Sequence, residues 1–162
     1  MVRNKPKLPI RIPTETELAY VAGFFDGEGC IGIKKTYTRK GADVSKRWVK
    51  THNHSPYITI SQVRPAVLHL IQDLFGGSIY FNKGVAGANG IWCWQRGGSK
   101  SVLAFVRAVR PYVIVKAEEC DIVAAAFDEM VRVKKAGTPQ SVVDKREEAR
   151  IALAKAKVSW RR

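Results

Sequence analysis

Cysteine is scarce. Cys30, Cys93 and Cys120 are the only three in 162 residues, and no two of them stand in a CxxC spacing. That excludes a disulfide-stapled secreted scaffold and argues against a zinc knuckle or redox dithiol, so a reducing intracellular compartment such as the cytoplasm is expected rather than secretion. No apolar run approaches the roughly 18 residues that span a bilayer. The opening MVRNKPKLPIRIP is basic and proline-punctuated and lacks the apolar segment of a secretory signal. A soluble protein with no membrane partner is expected. Acidic residues are also few, 14 against 28 Lys and Arg, for a formal charge of +14. With 46% apolar residues and four Trp, this charge rides on a folded chain rather than a disordered tail, which points to a polyanionic partner, nucleic acid first. A solvated basic surface or an anionic membrane is the blander reading of the same charge.

The length suits one domain with a real core, with or without a terminal extension. Thr14 and Glu17 form a capping-box pattern, and Leu18, Val21 and Phe25 recur at helical spacing, predicting a helix from about 15 to 26 that Gly27 and Gly29 stop. In CIGIKKTYT, Ile31 and Ile33 alternate with Gly32, Lys34, Thr36 and Thr38, the pattern of a half-buried strand. A long polar stretch from Arg39 to Ser55 leads to YITISQ, whose alternation predicts the antiparallel partner strand. RPAVLHLIQDLFGG predicts a helix with Pro65 at its first position and Gly76-Gly77 as its stop. SIYFN and IWCWQR, joined by a Gly-rich turn, form a second hairpin. KSVLAFVRAV is a helix ended by Pro111, KAEECDIVAAAFDEMVRV is another, and 141–158 make a charged last helix. The order is α-β-β-α-β-β-α with extra C-terminal helices, an α+β fold.

Four antiparallel strands with one apolar face leave the other face open. Gly32, Lys34, Thr36, Thr38, Lys40, Tyr57, Thr59 and Ser61 fall on that face from the first hairpin, and Ser78, Tyr80 and Asn82 from the second. Hydroxyls, lysines and amides of this kind bond base edges and phosphates, and a two-stranded ribbon fits a major groove. Lys83 beyond the third strand, with Arg39, Arg47 and Lys50 in the long stretch, are further candidates for DNA contact. An ordinary wet sheet face is the structural alternative.

The stretch DGEG, residues 26–29, puts two acids into the last turn of a helix, where the macrodipole disfavours them. It reads either as a helix terminus with a polar turn or as a site for a hard cation. A calcium loop is excluded, because the position twelfth from Asp26 is Tyr37 rather than Glu. Mg²⁺, or another divalent cation such as Mn²⁺, held by Glu28 with carbonyls at the helix end would offset the dipole. His52, His54 and His69 lack companion ligands at convincing spacing, and His69 is expected to be structural.

VAGFFDGEG, residues 21–29, resembles the signature of the LAGLIDADG homing endonucleases: Ala22-Gly23, two apolar residues, Asp26, a small residue, an acid at 28, then Gly29. The element order from 15 to 133 fits that family, and ISQV and RPYVIVK resemble its polar active-site position and its stretch running to a pocket lysine, here Gln62 and Lys116. The resemblance implies an endonuclease domain over 14–133, with a basic arm 1–13 and a C-terminal helical extension 134–162 outside it. It implies Glu28 as the metal-binding acid, where Asp is commoner, the Gly27 carbonyl as a second ligand, Gln62 and Lys116 as catalytic companions, and Asp26 as a structural brace. One motif per chain implies a homodimer packed through Ala19, Ala22 and Gly23, cutting double-stranded DNA at a long pseudo-palindromic site as an intron-encoded enzyme. An RNA-binding maturase acting on intron RNA and a non-cleaving DNA-binding regulator are the alternatives.

Overall fold

The structure, a computed structural model, describes residues 9, 11–39, 50–84, 90–128 and 138–159. The first helix starts where its cap requires. Thr14 Oγ1 accepts the Glu17 N–H at 3.3 Å and the Glu17 carboxylate accepts the Thr14 N–H at 2.9 Å, satisfying two donors that a helix start leaves open. Arg11 grips the same carboxylate and holds it down at about 2. Helix α1 spans Glu15–Glu28, two residues beyond the expected end. Gly27 stays helical, and Gly29 enters the next strand at φ −86°, a conformation open to any residue. What Gly29 supplies is space: a Cβ there would lie 2.2 Å from the Phe25 ring and 2.6 Å from its carbonyl oxygen.

Strands β1 (Gly29–Arg39), β2 (Lys50–Gln62), β3 (Ser78–Asn82) and β4 (Ile91–Gly97) form one antiparallel sheet in the order β1-β2-β4-β3. β2 starts at Lys50, so residues 50–55, expected to be loop, are strand. Polar as they are, their backbones continue the ladder, Lys35 pairing with His54 and Thr36 with Asn53. Helix α2 (Ala66–Phe75) has Pro65 as its N-cap rather than its first residue, and the chain leaves it through Gly76 and Gly77 at φ 69° and 100°. That left-handed exit needs glycine twice over at Gly77, where a Cβ would also come 2.7 Å from the Gln95 carbonyl oxygen. Helix α3 (Ser99–Val109) runs into a 3₁₀ turn, Arg110–Tyr112, and helices α4 (Ala117–Phe127) and α5 (Gln140–Ser159) complete the chain.

Alternation decides what the sheet buries. Ile31, Ile33, Ile58, Ile60 and Trp94 point to the helices and meet Val21, Ala22 and Phe25 of α1 in one core. Phe105 of α3 is its hub, edge-on to Phe25 at 5.4 Å and Phe75 at 4.7 Å and tilted against Trp94 at 5.7 Å. The one polar atom this puts at risk is satisfied, because Trp94 Nε1 donates to the Gly76 carbonyl at 2.8 Å. Helix α5 packs on the same body. Leu153 joins the core and the Arg146 guanidinium lies 4.7 Å from the Phe127 ring centre. On the inner side of the first hairpin, Glu147 receives Arg150, buried His54 at 2.6 Å and Lys35 at 3.1 Å, and these partners hold its carboxyl well below the usual range. His54, for which no companion ligand was visible at metal-binding spacing, takes its partner from 93 residues away.

Candidate active site and nucleic-acid interface

The face of the sheet turned away from the helices is mostly polar. Lys34 stands opposite Ser55 and Thr36 opposite Asn53. Cys30, Thr59, Gln95 and Ser78 line up across all four strands, and Ser61, Cys93 and Tyr80 form the next row. Lys34, Tyr80, Asn82 and Lys83 are exposed, while Thr36, Tyr57, Thr59, Ser61 and Ser78 are partly so. Gly32 is the exception among the predicted contact residues. It is buried because the Tyr57 ring lies across it, 2.4 Å from where a Cβ would be, so the tyrosine and not the glycine presents itself at this point. Thr38, Arg39 and Lys50 extend the strands, whereas Lys40 and Arg47 lie outside the described residues. Asn53, Ser55 and Gln95 share this face without having been picked out; carrying the period-two alternation one pair further in each direction would have found them.

At one end of the sheet α1 turns directly into β1, and the DGEG stretch sits at that turn. Asp26 points back into the chain's own fold. Its Oδ2 accepts the backbone N–H groups of Ile114 at 2.7 Å and Val115 at 3.1 Å, and its Oδ1 accepts that of Lys116 at 3.0 Å. The Lys116 ammonium returns the contact by donating to the Asp26 carbonyl, and lies 5.8 Å from the centre of the Phe25 ring. The segment that carries Lys116 is therefore fastened to the helix end by four hydrogen bonds. Glu28, two residues on, is exposed at the tip of the helix together with Gly27.

Two clefts flank this end. In the first, of about 370 Å³, Asp26, Gly27 and Gly29 face Lys116, Glu119 and Lys157. Glu119 and Lys157 are site residues that reading along the chain missed. Glu119 hides in the apolar period of α4 and Lys157 sits in a helix 41 residues beyond Lys116, so only the tertiary fold brings them here. Burial pushes the Glu119 carboxyl up, against a weaker opposing pull from Lys157 and Lys116. The second cleft, about 440 Å³, is lined by Gln62, Val63 and Arg64 with Tyr20 and Phe24 of α1. Gln62 Oε1 accepts its neighbour's N–H, from Val63 at 2.7 Å. Within the chain, Gln62 and Lys116 thus belong to different clefts.

Between the clefts, α1 shows a bare face. Ala19, Gly23 and Gly27 recur every four residues along it, all exposed, and a Cβ on either glycine would meet nothing within 4 Å. Tyr20, 54% exposed, and Val63, 66% exposed, add apolar surface beside it. Ala22 does not share this face. It was expected at a dimer interface, but its helical position turns it into the core, where it is fully buried.

Glu28 and the Gly27 carbonyl are oxygen donors at an exposed helix end, the donor type that Mg²⁺ and Mn²⁺ take. Among the described residues no group of three or more His, Cys, Asp or Glu side chains is placed to hold a metal ion. Nor, among the described residues, is any helix long and apolar enough to cross a membrane.

A family model described as LAGLIDADG endonuclease matches residues 21–106, more than half of the chain. Comparison with curated proteins by sequence gives no match. Among solved structures, the homing endonuclease I-CvuI in complex with the I-CreI target in the presence of Mg is similar at 18% identity and TM-score 0.65, covering 88% of this chain and 82% of that one. The archaeal intron-encoded homing endonuclease I-Vdi141I, complexed with DNA, is similar at 16% identity and TM-score 0.66, covering 88% and 84%. The homing endonuclease I-TnaI matches at 17% identity and TM-score 0.63, covering 91% and 95%. Likeness at these identities shows the shared α+β fold.

Proposed function

Because the chain belongs to the LAGLIDADG endonuclease family, we propose that it is a site-specific double-strand DNA endonuclease, hydrolysing phosphodiesters with a divalent metal as a homodimer on a long pseudo-palindromic site. The observation that carries this reading is the pairing at the end of α1 of an exposed Glu28 with a lysine, Lys116, fastened to the same turn through Asp26. A protein that only bound DNA would have no use for an acid at that position, where it repels phosphate.

In this reading Glu28 and the Gly27 carbonyl hold the divalent ion. When bound, such an ion lowers the pKa of a coordinated water and neutralises charge developing on an in-line phosphoryl transition state. The remaining work falls to side chains. Asp26 fixes the backbone of residues 114–116, which aims the Lys116 ammonium along the helix end, where it stabilises negative charge on the phosphate oxygens. Gln62, on the far side of α1, orients solvent with its amide. The open sheet face reads the duplex, with Lys34 and Lys83 contacting phosphates and the hydroxyl and amide rows contacting base edges.

The single motif and the incomplete acid set support a dimer in which two copies of α1 lie against each other. Ala19, Gly23 and Gly27 are small enough for two helix backbones to approach closely, bringing one Glu28 from each copy to the two scissile phosphates. Such an interface is isologous, and its two-fold axis demands a target of matching symmetry.

The test is a cleavage selection on a randomised duplex library, with Mg²⁺ present or chelated. Recovery of one two-fold-related sequence cut on both strands only with Mg²⁺ is the expected result. Tight duplex binding without cutting would replace this reading with a DNA-binding regulator. Preference for folded intron RNA over duplex would replace it with a maturase.

A further inference from the structure

The cleft beside α1 holds more charge than the reaction above uses. Lys157, near the end of α5, reaches the free edge of β1, where its ammonium donates to the Ile31 carbonyl and lies 3.2 Å from Cys30 Sγ. An ammonium has three donors, and neither of these partners is an anion. The acids that might have neutralised it are otherwise engaged. The Asp26 carboxylate takes three backbone N–H groups. Glu119 is only 7% exposed, and burial pushes its carboxyl up against the weaker pull of Lys157 and Lys116.

Lys116 stands across the same cleft, also bonded to a carbonyl. Two ammonium groups far apart in sequence, one just before α4 and one on α5, therefore line one cleft beside Gly27, each hydrogen-bonded to a neutral carbonyl. The wall opposite holds a buried polar atom with no protein partner. Glu119 Oε2 is enclosed and has no hydrogen-bond partner, and a buried polar atom left without one is rare in a native fold.

We propose that Lys157, together with Lys116, binds a backbone phosphate of the nucleic acid in the cleft they share with Gly27 and Glu119, so that α5 supplies part of the phosphate site. This rests on the endonuclease reading for the identity of the neighbouring reaction but not for the contact itself. A phosphate oxygen suits the third ammonium donor, and doubly held phosphate would be fixed relative to Glu28 rather than merely attracted to a basic surface.

The experiment measures duplex affinity across a salt series, using a duplex recovered by binding selection with metal chelated, for the wild type, Lys157→Gln and Lys157→Arg. Each neutralised phosphate contributes a slope of about 0.9 in log K against log salt. Lys157→Gln should flatten the slope by about that amount per protomer, with Lys157→Arg restoring it. In the wild-type protein, where folding is not at issue, bound duplex should protect Lys157 from acetylation, read by mass spectrometry. An unchanged slope and no protection would overturn the proposal and leave Lys157 as a strap tying α5 to β1, visible as a lowered melting temperature alone. Cleavage that needs Glu28 alongside an unchanged slope removes the contact and keeps the endonuclease. A flattened slope with no cleavage by the wild type does the reverse, and absence of any duplex binding removes both.

Discussion

The two faces of α1 are built to opposite rules. Val21, Ala22 and Phe25 are fully buried in the core that the chain's own sheet and helices form. Ala19, Gly23 and Gly27, one turn around the same helix, have nothing packed on them. A helix of a self-sufficient domain has a polar outer face. This one has a stripe of small residues flanked by Tyr20 and Val63, so the inner face specifies the fold and the outer face, in the proposed dimer, meets a second copy.

Substitutions separate these two functions. On the inner face Phe25→Ala removes a ring that touches Phe105 and spans Gly29, and is expected to cost about 3–5 kcal/mol in chemical denaturation. At the boundary Gly29→Ala forces a Cβ into the Phe25 ring and carbonyl, and overpacking of this kind costs about 1–3 kcal/mol in the same measurement. On the outer face Gly23→Leu should stabilise the isolated chain by up to about 1 kcal/mol, because a mid-helix glycine gives way to a better helix former whose side chain enters open space. The same variant should shift sedimentation towards monomer and lose cleavage. A dimer that survives it would move the interface away from α1 and abolish the contrast drawn here.

The smallest effect belongs to the helix start. Arg11 and the Thr14 N–H hold the Glu17 carboxyl at about 2, below its ordinary 4.5. A depressed folded pKa contributes stability that is present above the unfolded value and lost as pH falls through the folded one. The difference in melting temperature between wild type and Glu17→Gln should therefore be full above 4.5 and close as pH drops towards 2.

Local chemistry was legible in the sequence, and long-range contact was not. The capping box at Thr14 and Glu17, the alternation around Ile31 and Ile58, and the Gly76-Gly77 exit are written within a few residues and stand as read. The end of α1 was misjudged because glycine signals a stop by propensity, whereas here Gly27 continues the helix and Gly29 is required by a ring packed over it. Ala22 was assigned to the wrong face for a related reason: small residues at neighbouring positions look alike until the helix is docked. The partnership of His54 with Glu147, and the arrival of Glu119 and Lys157 beside Asp26, depend on α4 and α5 folding back on the sheet. Nothing local in VVDKREEARIALAKAKVS announces which of its charges turns inward.

The central claim is that Glu28, standing at the bare end of α1, is the acid on which cleavage depends. Glu28→Gln keeps the size and removes the charge, and because the side chain is exposed the fold should not notice. Measured on the selected duplex, the variant is expected to bind as tightly as the wild type with metal chelated and to cut neither strand when Mg²⁺ is added. Cutting at the wild-type rate would contradict the account.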